Sequence, residues 1–289
     1  WLDASNIDAA SNATLSDGDA IGEWKDLSGN GQNVSQSDTD LMPLMKKAVL
    51  NSKDVVEFDG TNDFLSKNTL TNWPVNDISI FIIQKSIAKQ QSTLSIDGLW
   101  TQSPNSQGVG GRFNIHLPWD SVTNPQMVIF DYGVKSDINQ YGRVNKSLPD
   151  GFDSTFQMYL FEYDSSIDEL SFDYNAIEYH SGTAGIVGVT DINGQAGFTL
   201  ILGDDESTNA LALDGEIAEI IIFDKILSDD ERAKVNYYLS KKWGLESTVD
   251  SDGDGFTDAD EIADGSSAID ASDSLMPDLS DSVDSQIGE

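Results

Sequence analysis

The sequence predicts an all-β fold: an antiparallel jelly-roll β-sandwich with one C-terminal amphipathic helix, followed by an acidic tail. Three observations lead to this prediction. Short runs rich in β-branched and aromatic residues recur along the chain, turn-forming dipeptides separate them, and only one segment has helical periodicity. Strands spaced in this way are typical of antiparallel sandwiches, because parallel α/β folds place a helix between successive strands.

Nine runs have the composition and length of β-strands. They are residues 55–58, 78–85, 92–96, 112–117, 127–132, 156–163, 169–174, 197–202 and 215–223. Asp-Gly or Asn-Gly pairs lie between many of them, and these pairs favour tight turns because they tolerate positive φ. The pairs are Asp59-Gly60, Asp97-Gly98, Asp150-Gly151, Asn193-Gly194 and Asp214-Gly215.

Residues 228–244 form the predicted helix. Ser228 and Glu231 have the spacing of a capping box, and Gly244 suits the position just past the C-terminal end. Acidic residues crowd the first turn and two lysines lie in the last, as the helix dipole favours. The spacing predicts one buried face made of Val235, Tyr238, Leu239 and Trp243.

The charge of the chain is unevenly distributed. The 289 residues include 50 Asp and Glu against 16 Lys and Arg, for a net charge of −34. Residues 246–289 contain 14 of the acids, no Lys or Arg, one Phe and no Trp or Tyr. Such a segment cannot bury enough apolar surface to fold alone. We therefore expect a sandwich domain at 1–245 and an acidic tail at 246–289, ordered by bound ions, the main domain or a neighbouring subunit.

Composition also excludes several classes of function. The excess of acid disfavours nucleic acid and anionic membranes as partners, since both need a basic surface. No run approaches the ~20 apolar residues of a membrane-spanning helix. The chain has no Cys and only two His, which removes disulfides and multi-His metal centres. Because it opens on Trp1, we expect a processed or excised segment, and the acidity fits an extracellular or cell-surface setting rich in salt or calcium.

Several motifs resemble the LamG-like (Laminin_G_3) branch of the concanavalin A-like lectin/glucanase superfamily. They are WLDAS at 1–5, WKDLSGNG at 24–31, VEFDGTNDFL at 56–65 and GEIAEIIIFD at 215–224, which runs directly into the capped helix. The resemblance spans nearly all of residues 1–245. It implies a concanavalin A-like sandwich from a secreted bacterial protein, of a kind that binds glycans or proteins.

Residues 250–261 match a twelve-residue calcium loop at every ligand position. Ca²⁺ takes hard oxygen ligands from positions 1, 3, 5, 7, 9 and 12 of such a loop, with Gly at position 6 for the turn. The ligands are then the side chains of Asp250, Asp252, Asp254, Asp258 and Glu261 with the Phe256 carbonyl, and Gly255 occupies position 6. The residues before the loop are too few for a flanking helix, so the segment resembles the loops of thrombospondin type 3 and dockerin-like repeats.

Two further groups are candidates for a second metal site. Asp59, Asn62 and Asp63 surround a predicted turn, where they could bind calcium or simply form an Asx turn through hydrogen bonds to the backbone. Asp264, Asp270 and Asp273 could supply part of a site in the tail, or form a solvated acidic surface.

Carbohydrate recognition commonly uses exposed aromatic rings with polar neighbours. The candidate ligand-binding residues are Trp73, Trp100, Trp119, His116 and Arg112, although core packing is an alternative role for each tryptophan.

The sequence contains no motif for catalysis. The Glu-x-Asp-x-x-Glu strand of the glucanase relatives is missing, since Asn62 stands where the last Glu of a pattern beginning at Glu57 would lie. Gly-x-Ser-x-Gly and His-Glu-x-x-His patterns are missing as well. The leading hypothesis is a non-catalytic, calcium-binding extracellular module that binds a glycan or protein. The alternatives are a subunit of an extracellular fibre or surface layer that self-associates through its tail, and a polysaccharide-degrading enzyme or its accessory module.

Overall fold

The computed structural model describes residues 1–87, 91–99, 111–121, 124–135, 141–148, 154–205 and 211–273. Contacts within the chain divide it into two compact units, Trp1–Leu227 and Ser228–Glu289. This division falls before the capped helix, whereas the sequence-based boundary at 245/246 falls after it. The helix and the calcium-loop segment therefore belong to one unit.

The first unit is an antiparallel β-sandwich, which confirms the predicted fold class. Its strands are β1 (Leu2–Asp3), β2 (Glu23–Trp24), β3 (Val34–Ser35), β4 (Leu44–Leu50), β5 (Lys53–Asp59), β6 (Leu65–Asn68), β7 (Ile78–Ser86), β8 (Leu94–Asp97), β9 (Arg112–Ser121), β10 (Asn124–Gly133), β11 (Gly142–Ser147), β12 (Phe156–Asp164), β13 (Glu169–Tyr174), β14 (Ile177–Thr183), β15 (Thr199–Leu202) and β16 (Asp214–Phe223).

The strands form two eight-stranded sheets. The first sheet has the order β14-β13-β12-β7-β16-β5-β4, with β1 added beside β16. The second has the order β11-β10-β9-β8-β15-β6-β3-β2. Apolar residues alternate along the strands and point between the sheets, as on β9, where Phe113, Ile115 and Leu117 belong to the buried core cluster. The opposite side of β9 carries Arg112 and His116.

Seven of the nine predicted runs lie within strands, and runs 92–96 and 197–202 each begin two residues before β8 and β15. The predicted turn at Asp214-Gly215 is wrong, because these two residues begin β16, and the predicted turn at Asp150-Gly151 lies outside the described residues. Gly60 and Gly98 have φ of 72° and 92°, the region that glycine adopts most easily. At Gly98 a Cβ atom would lie only 2.1 Å from the Gly197 carbonyl oxygen, so a larger residue there would clash with the backbone. The seven strands that the runs do not include are β1–β4, β6, β11 and β14.

The second unit contains α1 (Asp229–Trp243) and α2 (Asp258–Asp264). The capping box of Ser228 and Glu231 is formed, and Gly244 ends α1 with left-handed φ, as predicted. The predicted buried face is partly wrong, because Tyr238 is 40% exposed. The face instead consists of Ala233, Asn236, Leu239, Ser240 and Trp243. Neither helix of the described residues is long and apolar enough to cross a membrane.

Candidate functional site

The second unit gathers three carboxylates of the predicted calcium loop. Asp250, Asp252 and Asp254 each offer an oxygen atom, and the three oxygens lie within 4.8 Å of one another. Within the described residues, no other group of three acidic or histidine side chains meets this spacing. The backbone wraps around Asp250, whose Oδ1 and Oδ2 accept hydrogen bonds from Gly253 N at 2.8 Å and Gly255 N at 2.9 Å.

Glu261, at the last loop position, lies on helix α2, where the charges of the loop aspartates act on it, although it is not one of the three carboxylates within 4.8 Å. Its carboxylate is fully buried, and neither oxygen has a hydrogen-bond partner in the described part of the chain. Oδ2 of Asp252 and Oδ2 of Asp254 are buried without a partner as well. Burial raises the pKa of Glu261 to about 7, and the charges of Asp252 and Asp254 add to this effect. Four buried oxygens that lack donors are the arrangement in which a bound cation replaces missing hydrogen bonds.

Asp258 has a different role in this geometry. It is the first residue of α2 and is fully buried, and its Oδ1 and Oδ2 accept hydrogen bonds from Ser251 N and Ser251 Oγ, each at 2.9 Å. Both oxygens are therefore used to hold the loop. Position 9 of such loops often reaches the ion through a water molecule, so direct coordination by Asp258 stays a prediction, as does coordination by the Phe256 carbonyl.

The loop is tied to helices on both sides. Asn236 Nδ2 on α1 donates a hydrogen bond to the Ser251 carbonyl oxygen at 3.1 Å. The start of α2 is tied to the residues before the loop, since Asp258 N donates to Val249 O at 2.8 Å. The sequence led us to expect no flanking helix, because too few residues precede the loop. Helix α1 lies earlier in the chain but still contacts the loop through Asn236, a residue that the spacing of the loop ligands does not identify.

The other candidate metal ligands have protein partners or are exposed. Asp59 Oδ1 accepts hydrogen bonds from Thr61 N at 2.8 Å and Asn62 N at 3.2 Å, which is the Asx-turn alternative. Asp63 Oδ2 accepts from Asp59 N at 3.1 Å, and Asn62 Nδ2 donates to the Asp40 carbonyl. Asp264, Asp270 and Asp273 are exposed.

In the first unit, the non-core face of β9 brings together three of the predicted ligand-binding residues. His116 is fully buried, and its Nδ1 lies 3.1 Å from the Gln91 carbonyl oxygen while its Nε2 lies 3.3 Å from Arg112 Nη2. Burial and the Arg112 charge lower the pKa of His116 to about 3. Since a carbonyl only accepts and a guanidinium only donates, His116 is neutral with its proton on Nδ1. The half-buried Trp119 ring packs 4.8 Å from the His116 ring.

The neighbouring strands add residues that sequence reasoning missed. Asp131 on β10 is fully buried and binds two guanidinium groups, with Arg112 Nε at 3.0 Å and Arg143 Nε at 2.5 Å. Both guanidinium groups lie beside the Tyr141 ring, at 5.5 and 5.3 Å from its centroid. An acid between Phe130 and Tyr132 in an apolar run was the only sequence signal for this cluster.

Asp205 adds a second carboxylate next to Arg112 on this face. Its Oδ2 lies 3.9 Å from Arg112 Nη2. Burial raises the pKa of Asp205 to about 6, although the Arg112 charge opposes the rise and the charges of Asp204 and Asp97 increase it. The face, which we call the Arg112–Arg143 face, therefore combines guanidinium donors, carboxylate acceptors and aromatic rings. These groups can hydrogen-bond hydroxyls and pack against a sugar ring.

The remaining predicted ligand-binding tryptophans do not join this face. Trp73 is 7% exposed and packs edge-on against Phe113 at 5.0 Å, on the core side of β9. Trp100 lies outside the described residues.

Two solved structures of arabinofuranosidases resemble the chain. An arabinofuranosidase complexed with arabinofuranosyl-α-1,2-xylobiose matches with a TM-score of 0.55 at 15% identity, covering 82% of this chain and 54% of that chain. A mutant α-L-arabinofuranosidase soaked with 4-nitrophenyl α-L-arabinofuranoside gives a TM-score of 0.53 at 17% identity with the same coverage. At these identities the similarity shows only that the fold is shared.

The binding domain of a neurotoxin has a similar fold. The botulinum neurotoxin serotype D binding domain matches with a TM-score of 0.50 at 13% identity, covering 76% of this chain and 50% of that chain. The chain thus spans about half the length of these solved chains. No protein-family model and no curated protein matches it. The fold is an antiparallel β-sandwich, and the resemblance to lectin-like and LamG-like domains stays a prediction.

Proposed function

We propose that the chain is a secreted or cell-surface recognition module that binds a glycan on the Arg112–Arg143 face and calcium in its second unit, without catalysing a reaction. The observation that carries the glycan proposal is the buried Asp131, which fixes two guanidinium groups beside Tyr141 on one sheet face. Fixed donors lose little conformational entropy when they bind hydroxyl groups. The likeness in fold to chains solved with arabinose-containing ligands and to a binding domain supports this proposal.

The state of His116 supports a binding role. A general base needs a free nitrogen and a pKa near the working pH. Both ring nitrogens of His116 have partners, and its pKa of about 3 is far from neutrality. We therefore assign His116 to positioning Arg112.

A glycan array probed with the full chain in 2 mM CaCl₂, followed by calorimetry on the hits, tests the glycan proposal. Arg143→Gln is expected to weaken binding at least tenfold, since it removes a charged donor from the face. Lys146→Gln is the matched control, because Lys146 is exposed on the same strand but alternates to the opposite side from Arg143. Equal effects of the two variants, or an array without hits, would count against the proposal. Release of reducing ends from a bound polysaccharide would favour the enzyme alternative.

The calcium proposal rests on the buried Glu261 carboxylate. Among the described residues its two oxygens have no hydrogen-bond partner, and the charges of Asp252 and Asp254 act on it. Titration of the decalcified chain with CaCl₂ in a calorimeter tests it. Glu261→Gln is expected to weaken calcium binding at least tenfold, because a neutral amide replaces a bidentate charged ligand. Asp260→Asn is the control, since Asp260 is the exposed neighbour on the same helix turn. No binding heat, together with no rise in unfolding temperature on adding calcium, would overturn the proposal.

A further inference from the structure

A cavity of about 370 Å³ lies between the two sheets of the first unit. Its floor consists of short aliphatic side chains from both sheets: Val34, Leu94, Leu200, Leu202, Ile220 and Ile222. Elsewhere in the core, aromatic rings fill the space between the sheets, as where Phe130 packs against Phe161 at 5.5 Å. Packed sheets keep a separation of about 10 Å, so short side chains on both sides leave a gap where rings would close it.

Hydrogen bonds fix the walls of this cavity. Gln32 Nε2 donates to Thr71 Oγ1 at 2.6 Å, which joins the two loops at the rim. Asn193 holds the Trp73 backbone from both sides, accepting from Trp73 N at 2.6 Å and donating to Trp73 O at 3.0 Å. The Trp1 indole Nε1 donates to Glu219 at 2.6 Å. The cavity is therefore formed before any occupant arrives, as in most small-molecule sites.

The charge at the rim is negative. The described residues that line the cavity include Asp26 and Asp224 but no Lys, Arg or His, and the amino group of Trp1 lies 2.9 Å from Asp26 Oδ1, so Asp224 leaves the rim with a net negative charge. Burial alone would raise the pKa of Asp26, but hydrogen bonds from Gln32 N and Ser28 N lower it to about 2, so this carboxylate stays ionised. The other polar lining groups are hydroxyls and amides, which can bond either to water or to a polar head group.

We propose that this cavity binds the apolar part of a small amphipathic molecule whose polar head is uncharged or cationic. The aliphatic floor takes a short chain or a single ring, because removing apolar surface from water is favourable there. The carboxylates and amides of the rim select the head. An anionic head is disfavoured because the Trp1 amino group is already paired with Asp26, and Asp224 adds a further negative charge. This site is separate from the Arg112–Arg143 face, which lies on the outer side of the second sheet.

Three eight-carbon probes with different heads test the proposal: octylamine, octanol and octanoate at pH 7.5, each titrated into the full chain with calcium. Octylamine and octanol are expected to bind and to shift the methyl ¹³C signals of Ile220 and Ile222. Octanoate is expected to bind at least tenfold more weakly than octylamine. Ile222→Phe fills the cavity from the half-buried end of β16 and is expected to weaken octylamine binding at least tenfold.

Ile221→Phe is the matched control, because it makes the same change on the neighbouring residue, which points to the other side of β16. It is expected to leave affinity within twofold. If Ile222→Phe does not fold, the methyl shifts of the unaltered chain decide the question, since they report the location directly. Absence of binding by all three probes, equal binding of octanoate, or shifts located away from Ile220 and Ile222 would overturn the proposal.

Discussion

Asp131 and Arg143, on adjacent antiparallel strands, form a two-point ion pair, with Arg143 Nε and Nη2 at 2.5 and 2.7 Å from the two carboxylate oxygens. Asp131 is fully buried, whereas the Arg143 side chain is 37% exposed. Because Arg112 binds the same carboxylate, one buried charge determines the positions of two donors on the sheet surface.

The first prediction concerns this carboxylate. Asp131→Ala leaves two guanidinium groups without their shared partner, and the expected loss of stability is about 3 kcal/mol, toward the lower end for a broken buried ion pair because Arg143 keeps contact with water. Glu57→Ala is the control, since it breaks the Lys46–Glu57 pair, in which both side chains are about one-third exposed. Its expected cost is less than about 1 kcal/mol. Urea unfolding followed by tryptophan fluorescence measures both, and equal losses would contradict the prediction.

The strands could be predicted from the sequence because local composition determines them, but the cluster around Asp131 could not. Asp131 pairs with Arg143 on β11 and with Asn114 on β9, and these partners depend on strand register. A shift of one residue would turn each side chain to the other face. Register follows from the whole sandwich, so the sequence identified Arg112 and His116 but missed Asp131, Arg143 and Tyr141.

For the calcium loop, in contrast to the cluster around Asp131, the sequence predicted which side chains lie together. Its carboxylates are close in sequence, so local spacing predicted the grouping of Asp250, Asp252 and Asp254 directly. The side chain of Asp258 fits the ligand pattern equally well, yet it binds Ser251 in the structure. Sequence spacing gives a residue's place in the loop but not the competing backbone donor that occupies its oxygens.

The second prediction follows from the neutral state of His116. Its ring signals are expected to stay unchanged between pH 5 and 8 and to report a proton on Nδ1, because burial and Arg112 hold its pKa near 3. His180 is the internal control. Burial and the Lys146 charge lower the pKa of His180 below its ordinary value, and its ring is partly exposed, so its signals should change as the pH is lowered while those of His116 do not. Long-range ¹H–¹⁵N NMR measures both rings, and a His116 transition near pH 6.5 would refute the prediction.

The third prediction concerns Asp63. Burial raises its pKa to about 6, and the charges of Asp59 and Glu57 contribute. The folded state then binds more protons than the unfolded state between about pH 4 and pH 6, so stability falls as pH rises through this window. Asp63→Asn should remove that slope and stabilise the chain at pH 7.5 by about 1 to 3 kcal/mol.

Asp40→Asn is the control for this variant, because Asp40 is an exposed acid near the same turn. Urea unfolding at pH 4.5, 6 and 7.5 in EDTA gives the slope. Repeating the series in 5 mM CaCl₂ separates the two interpretations of the turn. If Asp59, Asn62 and Asp63 bind calcium, Asp63→Asn will lower stability in calcium instead of raising it.

The fourth prediction tests the turn at the sixth loop position. Gly255 has φ of 100°, so Gly255→Ala is strained even though nothing lies within 4 Å of the added Cβ. The expected cost is about 1 to 2 kcal/mol. Calcium affinity should fall as well, because Gly255 N orients Asp250 Oδ2. Gly182→Ala is the control, since Gly182 also has open space around it but no positive φ. Thermal unfolding and calcium calorimetry measure the two variants, and equal behaviour would show that the turn is not strained.

The last prediction concerns the hydrogen bond from Asn236 to the Ser251 carbonyl. Asn236 is 1% exposed on α1, and Ser251 in turn donates two hydrogen bonds to Asp258, so this bond links α1 through the loop to α2. Asn236→Ala leaves a buried carbonyl without its donor, at an expected cost of about 1 to 3 kcal/mol to the second unit. If the loop binds calcium only when held in this shape, the variant must also bind calcium several-fold more weakly. Part of its lost stability should then return at saturating calcium, because ligand binding favours the folded loop.

Lys234→Ala, an exposed change on the same helix, is the control and should alter neither quantity. Scanning calorimetry with and without calcium gives the stability, and calcium titration gives the affinity. Unchanged calcium affinity in Asn236→Ala, despite lower stability, would show that α1 supports the fold of the unit without shaping the metal site. If Asn236→Ala loses more calcium affinity than Gly255→Ala, the hydrogen bond from α1 contributes more to the metal site than the conformation of the turn does.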